Sequence, residues 1–437
     1  MPLQCANDDV GTDDLGVAGT SLMSDMNWLE YDCAVVGAGH AGMLLARLLA
    51  DQGLRVALVD RRRDPRKTDE GSDRPVGWGL SVNLGSVVAL RTAGLWDYVA
   101  DQAQPLESMR VNDPATRQDV FYRASETDSE ALSWGIAGRD LTSGLERAVF
   151  DQPSVDMFWG EEIAHRSIGD GTRTLTGQNG LRIACRLVIA ADGRQSPLRR
   201  QAQLDGPVLD FKQVALTFGV TTEASHQGQG FEILLPSGPL AFLPLKEGHA
   251  DRPSASITWV LPKNQAESWQ SAMPVQFAEA LCSHMPEQLG AVRLATPLAA
   301  FPLTFSHAKR LIADRLALVG DAAHGMHPIH AQGFNLALRD VARLAELLVS
   351  AHRRGRDIGA PALLRRYQAS RLPDTLATGA FTSGFAFLGS SPNPIARGAI
   401  GTGALLLRKL PALRRALTRQ GLGEVPGGPR LLRGLPL

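Results

Sequence analysis

A chain of 437 residues can bury roughly three quarters of its unfolded surface and has room for two or more lobes. Its 45 basic and 45 acidic side chains cancel, so no net field draws it to nucleic acid or anionic lipid, and small-molecule chemistry is the expected function class. Cys5, Cys33, Cys185 and Cys282 stand too far apart for a metal-ligand or redox motif, which argues for free thiols in a reducing compartment.

Residues 1–30 contain Asp8, Asp9, Asp13, Asp14, Asp25 and Glu30 but no Lys or Arg, and are predicted to be a disordered acidic leader, not a signal or transit peptide. An α/β lobe is expected over 31–204. It opens with DCAVVGAGHAGMLLARLLADQGLRVALVD (32–60), which reads as buried strand, glycine turn, amphipathic helix and second buried strand. Gly37, Gly39 and Gly42, with Ala38 and Ala41 between them, form G-A-G-H-A-G. The first allows the tight turn, the second lets a pyrophosphate reach the backbone, and the third lets the helix pack on its strand. Asp60 closes the second strand where a dinucleotide ribose is recognised; Arg61, Arg62 and Arg63 follow it as a hydrated basic run or a partner for phosphate. Because the motif occurs once, a separate domain for a nicotinamide nucleotide is missing and a bound flavin dinucleotide is favoured.

Helical periodicity at 84–93 and 139–150 and the apolar strand LVIAAD (187–192) continue this lobe. The pattern then turns β-rich, with VALTFGVTT, FEILL, LAFLPL and ASITWVL separated by Gly, Pro and Ser, so 205–305 is expected to be an inserted antiparallel sheet. RLALVGD (315–321) and the amphipathic FNLALRDVARLAELLVSAH (334–352) return to the first lobe over 306–355. Residues 356–437 read as mostly helical, with a basic end from Arg408 to Arg433 and a loose Pro/Gly-rich tail. No apolar run reaches the roughly 18 residues that span a bilayer, so a cytoplasmic chain is expected, at most peripherally attached to a membrane through that basic end.

LVGDAAHGMHPIHAQGFN (318–335) spaces Asp321, His324, His327 and His330 three apart, which suggests a metal site. Pro328, however, disfavours an α conformation at His327, so the histidines cannot form one ligand stripe, and no metal is expected.

LVIAADGRQSPLRR (187–200) resembles the Asp-Gly motif of the class A FAD-dependent aromatic monooxygenases, and RLALVGDAAHGMHPIHAQGFNLALRDVARLAELL (315–348) resembles their Gly-Asp motif. With the glycine turn these are the family's three fingerprints in order. GPLAFLPL (238–245), LTFSHAKRLIADR (303–315) and LLRRYQASRLPDTLATGAFTSGF (363–385) are similar to the ubiquinone-biosynthesis hydroxylases and their relatives acting on quinolones. The resemblance implies an α/β fold like that of p-hydroxybenzoate hydroxylase: a Rossmann-like FAD-binding domain, an inserted antiparallel β-sheet substrate domain and a C-terminal helical region. It implies FAD held by the glycine turn, Asp60 and Arg61, by Arg139 at a helix start, by Asp192 and Gly193, which in relatives also touch the nicotinamide nucleotide, and by Gly320 and Asp321 at the ribityl chain. Pro328, Gln332, Gly333, Phe334 and Asn335 would form the loop and helix start beneath the isoalloxazine. An arginine that the family carries near Gly77 or Trp78 is missing here, and Ala331 stands where glycine is usual.

The activity so implied uses NADPH or NADH as a transient electron donor and O2, through a flavin C4a-hydroperoxide, to hydroxylate or epoxidise an aromatic, quinolone or quinone-precursor substrate, apolar or prenylated. His330, next to Pro328 and near the reactive edge, is the candidate base on position alone, with His226 and Tyr122 as alternatives. Phe218, Phe231, Leu234, Phe242 and Pro244 are expected to wall the substrate site, although alternation along a strand could equally bury them as core. His324 and His327 are read as fixing the loop by hydrogen bonds. The chain would act as a monomer or homodimer. Competing readings are a flavin-dependent reductase of the geranylgeranyl-reductase type and a non-catalytic flavin-binding protein.

Overall fold

Val35, Val36, Ala57, Leu58 and Val59 come from strands buried on both faces, as the centre of a parallel sheet requires. In the computed structural model, which describes residues 28–67, 77–114, 118–169, 171–247, 252–327, 331–389, 409–423 and 427–437, the elements run as follows. The first part holds β1 (Leu29–Val36), α1 (His40–Ala50), β2 (Val56–Asp60), β3 (Gly79–Asn83), α2 (Leu84–Thr92), β4 (Gln104–Leu106), β5 (Ser108–Asp113), β6 (Gln118–Arg123), β7 (Ser133–Ala137), α3 (Gly138–Phe150), β8 (Val155–Trp159), β9 (Ile163–Gly169), β10 (Thr172–Gly177), β11 (Arg182–Ala190) and α4 (Pro197–Gln201). Next come β12 (Val208–Thr222), β13 (Gln229–Leu235), β14 (Gly238–Pro244), β15 (Ala255–Pro262), α5 (Lys263–Ser271), α6 (Pro274–Cys282), β16 (Val292–Leu294) and β17 (Ala299–His307). The chain closes with β18 (Ile312–Ala313), β19 (Leu316–Leu318), β20 (His324–Gly325), α7 (Gln332–His352), α8 (Pro361–Gly389) and α9 (Pro411–Gly421). Pro328, His330, Cys5 and residues 1–27 of the expected leader lie outside the described residues, while Leu29 and Glu30, assigned to that leader, already belong to β1.

The first sheet has the order β18-β19-β11-β1-β2-β8, with the β9–β10 ribbon against β11. The glycine turn after β1 and the ends of β11 and β19 therefore open on the same edge, at the carboxyl ends of the parallel strands, where an open α/β sheet binds its ligand. The second sheet has the order β20-β17-β12-β15-β14-β13-β5-β6. It extends beyond the boundaries expected for it. β5 and β6, within 31–204, join it because β5 pairs in parallel with β13, and β20 from the Gly-Asp stretch pairs with β17. Neither long-range pairing has a local signal in the chain.

The two faces of the second sheet have different neighbours. Leu216, Phe218, Val220, Phe231, Ile233, Leu240, Phe242, Ile257 and Trp259 form one apolar core with Phe277 and Leu281 of α6 and Ala266 of α5. Phe277 meets Phe218 edge-on at 5.2 Å and lies 5.8 Å from Trp259, while Phe231 and Phe242 pack on each other at 5.6 Å. Phe218, Phe231 and Phe242 are thus core residues beneath two helices and not substrate walls. The same period-2 alternation turns Ala215, Thr217, Leu234, Ala241, Leu243, Ser256, Thr258 and Val260 toward the first lobe. Contact on that side is direct: Ser256 Oγ accepts from the Gly79 amide at 3.0 Å and donates to Gly77 O at 2.8 Å. Of the expected wall residues only Leu234 has its side chain on this face; Pro244 follows the parity of Phe242, and its carbonyl is packed against Gly135.

Phe218→Ala is expected to cost about 3–5 kcal/mol of stability, as for a buried aromatic in a core, with cofactor content per folded molecule unchanged. Urea unfolding followed by a cofactor assay on the folded fraction checks both halves.

Candidate functional site

Gly37 has φ +106°, and a Cβ there would lie 2.3 Å from Ala191 O; one on Gly42 would lie 1.9 Å from Gly37 O. Packing alone therefore demands glycine at both. A Cβ on Gly39 would meet nothing within 4 Å, so the backbone at the N-terminus of α1 faces open space. Asp60 clamps this turn: Oδ2 accepts from the Ala38 amide at 2.5 Å, and Oδ1 accepts from Arg62 N and Nε at 2.8 and 3.1 Å. Arg62 also donates to Ala38 O at 2.6 Å. Arg61, expected to touch the cofactor, is exposed, and the residue after it does the local work.

The first helical residue, His40, carries a role the sequence did not suggest. Its ring stacks on Trp78 at 6.0 Å, meets Phe334 edge-on at 5.9 Å, and places Nε2 2.9 Å from Thr142 Oγ1 on α3. Trp78, near the position of the missing family arginine, so joins β3, α1 and α7 through aromatic contacts. Arg139, the second residue of α3, lies 3.7 Å from Asp140 and lines a cleft with Gln102, Lys246 and Arg252, between the first lobe and the β14–β15 connection.

Asp192 and Gly193 follow β11. Asp192 Oδ2 accepts from the Leu198 amide at 3.2 Å, whereas Oδ1 is buried and has no hydrogen-bond partner among the described residues. Burial pushes the pKa of this carboxyl up, against the hydrogen bonds of Ser196 and Leu198. Gly193, at φ +83°, has open space where a Cβ would stand. Ser196 caps α4 by accepting from the Arg199 amide at 2.9 Å. Arg199 then reaches Arg194 O at 2.9 Å and Ala322 O at 3.0 Å, and Arg194 Nε lies 3.7 Å from Asp321 Oδ2. The Asp-Gly and Gly-Asp stretches, 130 residues apart, are tied together by these two arginines.

Gly320, at φ +57°, would place a Cβ 3.3 Å from Ala337 and 3.4 Å from Ala41, so α1 and α7 converge on it. Its amide donates to Asp340 Oδ2 at 3.0 Å, which also binds His324 Nε2 at 2.6 Å; Arg371 Nε donates to Oδ1 at 2.7 Å. Burial would raise the Asp340 pKa, but the charges of His324 and Arg371 prevail and hold it at about 2. His327 instead packs edge-on against Phe211 at 4.9 Å. The two histidines thus serve different partners, and among the described residues no group of three His, Cys, Asp or Glu is placed to hold a metal.

Ala331, preceding α7, has φ +48° and ψ 37°, where an L-residue with a Cβ is strained by about 1–2 kcal/mol and glycine is not. Asn335 fixes the helix start: Nδ2 donates to Ser81 O at 2.9 Å and Ala331 O at 3.1 Å, and Oδ1 accepts from Asn83 N at 3.0 Å and Ser86 Oγ at 2.8 Å. Its amide is fully used, so it acts by placing the backbone of α7. A Cβ on Gly333 would meet nothing within 4 Å. Of the alternative bases, His226 uses both ring nitrogens on backbone groups, Nε2 to Leu245 O and Nδ1 from the Gly228 amide, each at 3.0 Å. Burial and then the negative Glu232 push the Tyr122 hydroxyl up, which makes it a poor proton acceptor.

Burial and then the nearby Arg194 charge lower the His327 pKa from 6.5 to about 4. The folded state therefore binds fewer protons here than the unfolded chain between these values, and stability is full above pH 6.5 and falls as pH drops toward 4. At ~1.4 kcal/mol per unit, His327→Phe should remove up to ~3 kcal/mol of that acid-side loss, read as a flatter plot of unfolding free energy against pH.

Residues 30–380 match the family described as FAD binding domain. The ubiquinone hydroxylase UbiL of Rhodospirillum rubrum is 34% identical over 413 residues, which covers 93% of each chain. The 3-demethoxyubiquinol 3-hydroxylase of Escherichia coli is 32% identical over 349 residues, 78% of this chain and 86% of its own. The fold is shared with p-nitrophenol 4-monooxygenase PnpA from Pseudomonas putida (TM-score 0.76, 19% identity, 91% of this chain and 99% of that one). It is also shared with PqsL from Pseudomonas aeruginosa in complex with 2-aminobenzoylacetate (TM-score 0.72, 21% identity, 84% and 99%).

Proposed function

The chain belongs to the FAD binding domain family and is an FAD-dependent monooxygenase, and from that premise we propose that it uses NADPH or NADH and O2 to oxygenate an electron-rich aromatic ring of the quinone-precursor kind, bearing an apolar tail. The observation that supports this most is the contrast among the glycines. Gly37, Gly42 and Gly320 are filled by packing, whereas Gly39, Gly193 and Gly333 leave bare backbone in open space at the three stretches expected to meet FAD, and Asp192 Oδ1 is buried there without a partner. The residues fit the cofactor.

Amides at the start of α1, around Gly39, would take the pyrophosphate, with Asp60 and Arg62 holding the turn in shape. Asp321, half exposed beside Arg194, would receive the ribityl hydroxyls; Asp192 and Gly193 would border the same cofactor, and Arg139 would approach it from α3. Amides in the first turn of α7, around Gly333, would favour negative charge at the ring edge they face. Bound FAD would supply hydride acceptance and oxygen activation; the chain's own groups must orient the ring, exclude water and accept the phenolic proton. His330, with Pro328 beside it, is the proposed proton acceptor on sequence grounds. No helix among the described residues is long and apolar enough to cross a membrane. We propose peripheral contact through the basic α9, which would bring the site to an apolar substrate.

The test is stopped-flow reduction by NADPH and by NADH, with and without phenols of the quinone-precursor type, followed by ¹⁸O incorporation from O2. Faster reduction and labelled product are expected; reduction that no phenol accelerates, with no oxygenated product, would exclude the reading. Asp192→Ala and Asp321→Ala should each weaken FAD retention at least tenfold, measured as flavin lost on dialysis. His330→Ala should slow product formation more than FAD reduction, and unchanged coupling of the two would remove it from the chemistry.

A further inference from the structure

We propose that Thr217 is a substrate-binding residue whose hydroxyl holds the oxygen-bearing edge of the aromatic ring, at the centre of a two-row wall that selects a ring polar on one edge and apolar on the other. The inference rests on the reading above that the substrate is an aromatic ring next to the flavin, and says how such a ring is recognised.

In an antiparallel sheet, residues directly opposite one another project from the same face. The register across β12, β15, β14 and β13 aligns Thr217 with Thr258, Thr258 with Ala241, and Ala241 with Glu232. Two residues along the strands, roughly 7 Å away, Ala215 pairs with Val260 and Leu234 with Pro239. One row therefore carries two hydroxyls, then an alanine, and ends in a carboxylate; the next is apolar throughout. Both lie on the face turned away from α5 and α6.

Two contacts locate this wall. On one side of Thr217, Ser256, opposite Gly219, is hydrogen-bonded to Gly77 and Gly79 of β3. On the other side, Phe211 packs against Ala215, Val260 and Leu303 and meets the ring of His327 edge-on. Thr217 stands between these two supports, on the same face of the sheet as Ser256 and Ala215.

Thr217 is 4% exposed, and its Oγ1 has no hydrogen-bond partner among the described residues. A buried hydroxyl without a partner is unfavourable, and valine would fill the same volume on a strand without that cost. The hydroxyl is the only thing threonine adds here, and it is assigned to the substrate. Its neighbour Phe218 points the other way, onto Phe277.

The probe pair is 4-octylphenol and octylbenzene, which share the tail and differ in one hydroxyl. Each is titrated into the FAD-loaded full chain and followed by the shift of the flavin absorbance band. The unaltered protein is expected to bind the phenol at least tenfold more tightly. Thr217→Val should lose that preference and bind octylbenzene as before, with unchanged FAD content and a melting temperature no lower than that of the unaltered protein, and Thr217→Ser should keep the preference. Thr217→Ala, which cannot crowd the site, is a second variant with the same expected loss. A Thr217→Val protein that still prefers the phenol tenfold would overturn the proposal, as would an unaltered protein that binds neither compound. If phenols stimulate oxygenation while Thr217→Val discriminates normally, only this inference falls. If the hydroxyl preference depends on Thr217 but no phenol is oxygenated, the wall stands and the proposed activity falls.

Discussion

A single buried carboxylate, Asp340, organises the part of the molecule on which the rest depends. A charge in an interior is tolerable only when its oxygens are fully engaged, and Asp340 engages the Gly320 amide, His324 and Arg371. The consequences travel outward. The Gly320 bond holds a left-handed turn onto which Ala41 of α1 and Ala337 of α7 close. That closure sets Asp321 beside Arg194 and so joins the Gly-Asp and Asp-Gly stretches. In the other direction Arg371 continues to Asp374 at 2.5 Å, and Asp374 accepts from Arg339 at 2.7 Å, so the charge relay runs from the turn into α7 and α8. Removing one partner would leave an uncompensated charge, which is why this arrangement behaves as a unit and not as separate pairs.

How far the chain could be read in advance depended on the range of the interaction concerned. The glycine turn, Asp60, Asp192 and Gly320 are properties of short consecutive stretches, where a strand end and a positive φ leave a mark in composition, and they fall together on one edge of the first sheet. The wall residues were a different problem. Alternation reveals that a strand has two faces but not which neighbour each face meets. Phe218, Phe231 and Phe242 are large and apolar because α5 and α6 cover them, and those two short helices, over 263–282, carried no strong periodic signal to announce the cover. The same limit applies to β5, whose place in the second sheet rests on parallel pairing with a strand more than a hundred residues away.

Between these extremes lie residues whose type was informative but whose role was displaced by one contact. Arg62 and not Arg61 closes over the glycine turn because a backbone amide two residues past Asp60 can return to the same carboxylate. Asn335 does not reach outward, since Ser81, Asn83, Ser86 and Ala331 consume its amide. Ala331 keeps a left-handed conformation that glycine would adopt without strain, which requires the surrounding bonds to enforce it, and Asn335 supplies one of them directly. Trp78 stacks on His40 near the position where the family arginine is missing, a contact that no spacing rule describes.

Packed and unpacked features of the same chemical type therefore separate structure from function here. A glycine whose absent Cβ is already occupied by a carbonyl, as at Gly37 and Gly42, or whose φ is positive, as at Gly193, is explained by the fold; one with negative φ facing open space, as at Gly39 and Gly333, is not. A buried oxygen that accepts from two donors, as on Asp340, is likewise explained, whereas Asp192 Oδ1 and Thr217 Oγ1 have no account within the described residues. The glycines and Asp192 lie in the stretches proposed to hold the dinucleotide, and Thr217 lies on the face of the second sheet turned away from α5 and α6. At Gly39, Gly333 and Thr217 the fold alone would accept a residue that fills space or lacks the polar atom, since such a change breaks no contact among the described residues. A cofactor on one side and an oxygen-bearing ring on the other would complete what the chain leaves open.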